Sequence, residues 1–259
     1  MGRKIVVCGK GGCGKTSITV LMANLLSRKG YKVDVIDADE SNPSLHLMLG
    51  VRQPRTLIEY LGGRRSVSSM MKKDDLDLTE ALRKAMGGIS IGNLPDDYVS
   101  TSETGVRLVV SGKISDFFEG CACPIGYLTR VLVKNLVLEE DEHVLIDTDA
   151  GIEHVGRGLE EGVDLLLAVV DPTYDSILIA QKVSEVASKL GKEFWAVMNR
   201  VSPEVEETVT QALKSRGVRI AGKVGYDAEV FRSNLAGGPL KASNALKDIE
   251  NILGVLGLA

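Results

Sequence analysis

Short apolar runs, mostly β-branched, punctuate the chain: Ile5 to Cys8, Val33 to Ile36, Leu108 to Val110, Val144 to Ile146, Leu165 to Val170, Phe194 to Met198 and Val218 to Val224. They are continuous rather than alternating in polarity, the pattern of strands covered on both faces. Helical spacing of apolar positions fills the gaps at Lys15 to Lys29, Pro124 to Leu138, Thr173 to Leu190, Pro203 to Arg216 and Lys241 to Leu253. Strand and helix in regular alternation predict an α/β chain, a parallel sheet with helices on both faces. Ligands of such sheets bind at the carboxyl ends of the strands.

Residues 50–106 break the rhythm. No strong strand pattern occurs there before Ile89-Ser90-Ile91, and Lys72-Lys73-Asp74-Asp75 is a run of charge. The stretch reads as helical excursions between two core strands, so residues 1–259 are expected to form a single domain. With 44% hydrophobic residues such a domain can fill a core.

A net charge of −4 argues against a general affinity for nucleic acid or anionic lipid, which need a positive field. The basic pairs Arg64-Arg65 and Lys72-Lys73 read as solvated surface. No apolar run reaches the roughly 18 residues of a membrane span. Ile5-Val6-Val7 is too short a run for a signal peptide. A cytoplasmic protein is expected, with no membrane and no nucleic acid among its partners. The four cysteines are then core thiols, metal ligands or redox groups rather than a disulfide framework.

The strongest chemical signal is Gly9-Lys10-Gly11-Gly12-Cys13-Gly14-Lys15-Thr16, followed by Ser17. It follows a strand and opens an amphipathic helix, the context a phosphate-binding loop requires. Glycines let backbone N–H groups converge on phosphate oxygens with no Cβ in the way. The helix aims its positive end at the same place. Lys15 can reach the β- and γ-phosphates, and the Thr16 hydroxyl suits Mg²⁺. A nucleoside triphosphate with Mg²⁺ is the expected ligand. Two apolar strands end in acids. Asp37 and Asp39 close Val33-Asp34-Val35-Ile36-Asp37-Ala38-Asp39, and Asp147 closes Val144-Leu145-Ile146-Asp147, where it would hold Mg²⁺ through water.

With Lys10 the loop resembles the deviant Walker A ATPases, the MinD, ParA and nitrogenase iron-protein group, and matches the form Gly-Lys-Gly-Gly-x-Gly-Lys-Thr at every fixed position. The resemblance covers nearly the whole chain and implies a P-loop NTPase fold that hydrolyses ATP. It implies that Lys10 reaches across a homodimer to the partner's phosphates, so that Lys10, Lys15 and Asp39 are the catalytic set. Asp39 would position or deprotonate the attacking water and approach Mg²⁺. Asp37 would support it from the strand end, or cap the turn. Asn199, at the end of Trp195 to Asn199, would read the adenine edge; a plain loop asparagine is the simpler reading.

Glu119-Gly120-Cys121-Ala122-Cys123-Pro124 carries a second chemistry. Residues i and i+2 of an extended segment point to one side, and Pro124 disfavours the α conformation at Cys123. Pro124 also suits the first position of the following helix, where a thiolate at Cys123 is favoured. Two thiolates do not complete a tetrahedral site, but two pairs across a two-fold axis would. With Ala150-Gly151-Ile152-Glu153-His154 after the Asp147 strand, the chain resembles the nickel-insertion accessory ATPases of carbon monoxide dehydrogenase (CooC type). That resemblance implies Ni²⁺ or Zn²⁺ shared between subunits at Cys121 and Cys123, with apo carbon monoxide dehydrogenase as client. Incidental buried cysteines are the plainer alternative, and His154 reads as structural before ligand. Cys8 reads as core, and Cys13 as a loop residue with no metal role.

Two other functions compete. A positioning ATPase of the MinD or ParA type acts on a membrane or DNA, but the tail Ile249 to Gly257 is apolar without being basic. An iron–sulfur electron donor would space its cluster cysteines far apart, unlike Cys121 and Cys123.

Overall fold

The computed structural model describes residues 2–71, 75–114, 123–149 and 158–258. β1 (Arg3–Gly9) leads through the glycine-rich loop into α1 (Lys15–Arg28) and β2 (Lys32–Asp37). Four short helices follow, α2 (Leu45–Leu49), α3 (Leu57–Tyr60), α4 (Arg64–Met71) and α5 (Asp75–Met86). The edge strand β3 (Ser100–Thr101) then returns to β4 (Arg107–Val110). The remainder is α6 (Cys123–Asn135), β5 (Glu142–Asp147), β6 (Leu165–Val170), α7 (Tyr174–Lys189), β7 (Glu193–Asn199), α8 (Pro203–Lys214), β8 (Ile220–Val224), α9 (Ala228–Ala236) and α10 (Asn244–Val255).

The strands form one eight-stranded sheet in the order β3-β4-β2-β5-β1-β6-β7-β8. Every pairing is parallel except that of β3 with β4. β1 lies between β5 and β6, so the loop leaves the sheet near its middle.

The continuous apolar runs are explained by two cores, one on each face. Ile5, Val7, Val33, Val35 and Leu145 pack with α1 and α10, while Val6, Cys8, Ile36, Val144 and Ile146 pack with α5, α6 and α7. Successive side chains of a strand point to opposite faces. Here both faces are dry, so both parities are mostly apolar.

Two expectations need correction. Ile89-Ser90-Ile91 is not a strand: Ile91–Asn93 forms a 3₁₀ turn, with Ile89 and Ile91 buried under the helical layer. Such a short apolar run satisfies burial without joining a ladder. α6 begins at Cys123, one residue earlier than expected, with Pro124 inside the first turn, where its missing N–H costs nothing. The remaining boundaries shift by a few residues, as helix ends commonly do.

At the amino ends of the strands a buried ion cluster ties β2, β4 and β5 together. Arg107 donates to Asp34 through Nε at 2.5 Å and Nη2 at 2.8 Å, and to Glu142 Oε1 at 2.7 Å. Burial pushes the Asp34 carboxyl up to about 7 against the pull of Arg107. Removing one partner of a buried pair leaves uncompensated charge, at a cost of about 3–5 kcal/mol. Arg107→Met should therefore destabilise the fold by that amount in urea denaturation. A change below about 1 kcal/mol would show that the cluster is replaceable, as some buried ion pairs are.

Candidate nucleotide site

The loop after β1 folds into a cradle whose parts hold one another. Gly14, φ +102°, is the N-cap of α1, and a Cβ there would lie 2.2 Å from Asn199 Nδ2. Asn199, at the end of β7, is buried and donates to the Cys13 carbonyl at 2.7 Å. Its neighbour Arg200 has φ +57°, the sole positive value outside glycine among the described residues, and its guanidinium donates to the Gly12 carbonyl. Left-handed backbone is uncommon for a residue of this size. Here it accompanies a side chain that turns back over the loop. Cys13 is buried beneath it, its thiol pushed up to about 11 by burial, and Cys8 below is pushed up to about 12. Cys8 is a core thiol, as the sequence suggested; Cys13, read there as a loop residue, is buried in the core as well.

The first turn of α1 presents the polar groups. Lys15 is largely buried and its Nζ donates to the Lys10 carbonyl at 3.3 Å, across the mouth of the loop. Thr16 Oγ1 donates to Asp147 Oδ2 at 2.7 Å, and Thr19 Oγ1 lies 3.4 Å from Asp147 Oδ1. Ser17 Oγ accepts from Asn234 Nδ2 at 3.2 Å, which ties α1 to α9. Lys10 rests on its own chain, 3.4 Å from Thr173 Oγ1 and 3.7 Å from the Asp175 carboxylate.

Register sets the carboxylates at one height. Asp37 and Asp147 are directly paired positions on β2 and β5. Burial pushes Asp147 up to about 6, opposed by the Thr16 hydroxyl and by Lys15, and Asp37 up to about 7, opposed by Lys113. Asp39 follows in a tight turn, its Oδ1 accepting from Ser41 N at 2.9 Å and Ser41 Oγ at 2.6 Å. Beside the loop opens a cavity of about 480 Å³. Its lining includes Gly12, Lys15, Thr16 and Asp39 from the loop, the start of α1 and the turn after β2, Asn199 and Arg200 from the end of β7 and just beyond, and Tyr226, Val230 and Phe231.

This combination of cradle, strand-end carboxylates and adjoining cavity agrees with a family-wide match: residues 4–240 fit the CobQ/CobB/MinD/ParA nucleotide binding domain. The chain belongs to this family. It is an ATP-binding ATPase. An uncharacterized ATP-binding protein of Methanocaldococcus jannaschii is 42% identical over 252 residues, covering 96% of this chain and 99% of that one. The carbon monoxide dehydrogenase accessory protein CooC of Rhodospirillum rubrum is 32% identical over 207 residues, covering 78% of this chain and 76% of that one. The cell division ATPase MinD of Pyrococcus furiosus has the same fold, with a TM-score of 0.68 at 22% identity over 99% of each chain.

Several residues of this ATPase escaped the sequence reading. Asn42 Nδ2 donates to Thr16 Oγ1 at 3.0 Å and lies 3.4 Å from Asp147 Oδ2, in the corner between helix and strand. Lys113 joins the turn after β2 to the end of β4. Asp227 caps two helices: Oδ1 accepts from Glu229 N at 2.9 Å, at the start of α9. Its Oδ2 accepts from Ser243 N at 2.8 Å and Ala245 N at 3.0 Å, at the start of α10. Burial works against that carboxylate, but the backbone N–H groups hold it below the usual range. The Asp-initiated cap was a signal present in the sequence.

Cys123 stands exposed at the start of α6 and is disulfide-bonded. Cys121 and the run Ala150 to His154 lie outside the described residues. Among the described residues no group of three or more His, Cys, Asp or Glu side chains is arranged to hold a metal ion.

Gly14 gives a direct test of the cradle. An alanine there meets the Asn199 amide and must also hold a left-handed φ, which costs about 1–2 kcal/mol by itself. Gly14→Ala should weaken ATP binding at least about tenfold by isothermal titration. Adding Asn199→Ala should relieve the clash but not the backbone strain, so affinity should recover only in part.

Proposed function

We propose that this ATPase is a nickel metallochaperone, an ATP-gated homodimer that holds Ni²⁺ or Zn²⁺ between subunits and delivers nickel to an apo carbon monoxide dehydrogenase. The observation that carries the reading is the 32% identity to the carbon monoxide dehydrogenase accessory protein of Rhodospirillum rubrum, taken with Cys121-Ala122-Cys123 in this chain. A thiolate pair from each of two subunits supplies the four soft ligands that two cysteines alone cannot. In the disulfide form Cys123 cannot ligate, so the reading requires the thiols reduced.

In this reading ATP lies on the backbone of Gly11 to Thr16, with Lys15 swinging from the Lys10 carbonyl to the β- and γ-phosphates. The purine fits against Asn199 and the aromatic wall of Tyr226 and Phe231. The corner of Thr16 Oγ1 and Asp147 offers the hard oxygens that Mg²⁺ takes, and the neutral Asn42 amide now donates to Thr16 Oγ1 there. When bound, Mg²⁺ neutralises charge on the β- and γ-phosphates. Thr16 and Asp147 would hold it, with Asp39 close by. Asp39 orients the attacking water, and Lys10 completes the site of a second subunit. Coupling to metal requires the two nucleotide states to bind metal unequally.

A membrane-positioning role through α10 is disfavoured. Ile249, Ile252 and Leu253 of α10 are buried, packed in the core with α1, so the main apolar side of this helix is already covered.

Reduced protein should carry about one Ni²⁺ or Zn²⁺ per dimer, as four thiolates per ion require. Cys121→Ser should abolish this stoichiometry in elemental analysis; unchanged metal content in that variant removes the shared site. Lys10→Ala should remain monomeric on light scattering with a non-hydrolysable ATP analogue while still binding the analogue. Dimerisation as in the parent would leave Lys10 without its proposed part.

A further inference from the structure

Lys113 follows β4 and spends all three of its ammonium donors at short range. Nζ donates to Asp37 Oδ2 at 2.7 Å, to the Asp39 carbonyl at 2.6 Å and to the Asn42 carbonyl at 2.6 Å. Neutralising the buried Asp37 needs only the first of these. The other two clamp both ends of the one turn that carries the Asp39 carboxylate. That turn is held on its far side by the Asn42 amide against Thr16 and Asp147.

Lys113 is itself fixed. Ser111 N donates to the Asp37 carbonyl at 3.0 Å and Ile114 N to the Glu40 carbonyl at 3.1 Å, so its backbone runs alongside the turn. Arg64 Nη2 donates to the Lys113 carbonyl at 2.8 Å from α4. Asp39 and Asn42 line the nucleotide cavity, whereas Lys113 does not.

We propose that Lys113 is a positioning residue for ATP hydrolysis: it sets the turn from Asp39 to Asn42, and thereby the Asp39 carboxylate, without touching the nucleotide. A displacement of about 1 Å in an orienting group can cost about 100-fold in rate. A residue that acts only through such orientation lowers kcat and leaves binding alone. The inference rests on the role given to Asp39. Asp39→Ala tests that role separately: hydrolysis at the parent rate in Asp39→Ala would remove the assignment itself, whatever Lys113 does.

Two variants separate positioning from charge. Lys113→Arg keeps a cation beside Asp37 but cannot place three donors on one point. Lys113→Met with Asp37→Asn removes both charges together, which avoids leaving a buried carboxylate unpaired. Both proteins should melt within a few degrees of the parent and bind a fluorescent ATP analogue within about threefold of its affinity. Both should hydrolyse ATP at least about tenfold more slowly, and the double variant should also be slower than Asp37→Asn alone. Parental kcat in Lys113→Arg, or equal kcat in the double variant and Asp37→Asn, overturns the proposal, because charge alone would then account for Lys113. Loss of analogue binding in parallel with kcat also overturns it, because the residue would then serve binding.

Discussion

The hydrogen bond from the Thr16 hydroxyl to the Asp147 carboxylate joins the first turn of α1 to the end of β5. It is possible only because β1 and β5 run in parallel register, with Val7 opposite Asp147, so that the loop and the acid leave the sheet at the same height. The same register places Asp37 one strand further along. Two carboxylates in a dry sheet end are costly to ionise, and burial raises both. What offsets that cost is local: a hydroxyl and Lys15 at Asp147, and Lys113 at Asp37. Loop geometry and carboxylate charge are therefore one problem with one solution.

The opposite wall of the loop is held by β7. Asn199 and Arg200 grip successive carbonyls, those of Cys13 and Gly12, from the far side. A free phosphate loop of glycines would sample many conformations, since glycine loses the most freedom on ordering. Fixing its carbonyls outward leaves loop N–H groups other than that of Cys13, which donates to the Lys10 carbonyl at 3.3 Å, available to an anion without further ordering. The cradle is built before ligand arrives, and the groups that build it come from both halves of the sheet.

Much of this was legible in order along the chain. Apolar runs gave the strands because burial on both faces erases alternation, and the loop was legible because its chemistry is contiguous. Lys113 and Asn42 were not, since each matters through partners far away in sequence and neither sits in a spaced motif. α9 was missed for a different reason: none of its residues is buried, so no apolar stripe marks it. Ile89 and Ile91 misled for the converse reason, being buried without pairing. The cysteine pair was readable as chemistry, but with Cys121 outside the described residues only Cys123 can be placed on the fold.

Lys10 is where the two proposed tasks of the loop meet. In a single chain it rests against Thr173 at 3.4 Å and Asp175 at 3.7 Å, both long contacts, with the Asp175 side chain 74% exposed. Solvent screening limits such a pair to about 0–1 kcal/mol. A phosphate in a closed interface is a far stronger partner for an ammonium, because the water that screens the surface pair is gone. The resting contact therefore keeps Lys10 ordered near the mouth of the loop without holding it there. Asp171, which accepts from the Thr173 and Ser176 hydroxyls, steadies this perch from below. A lysine held weakly at the entrance is better placed to reach a second subunit than one salt-bridged in the core or one free in solvent.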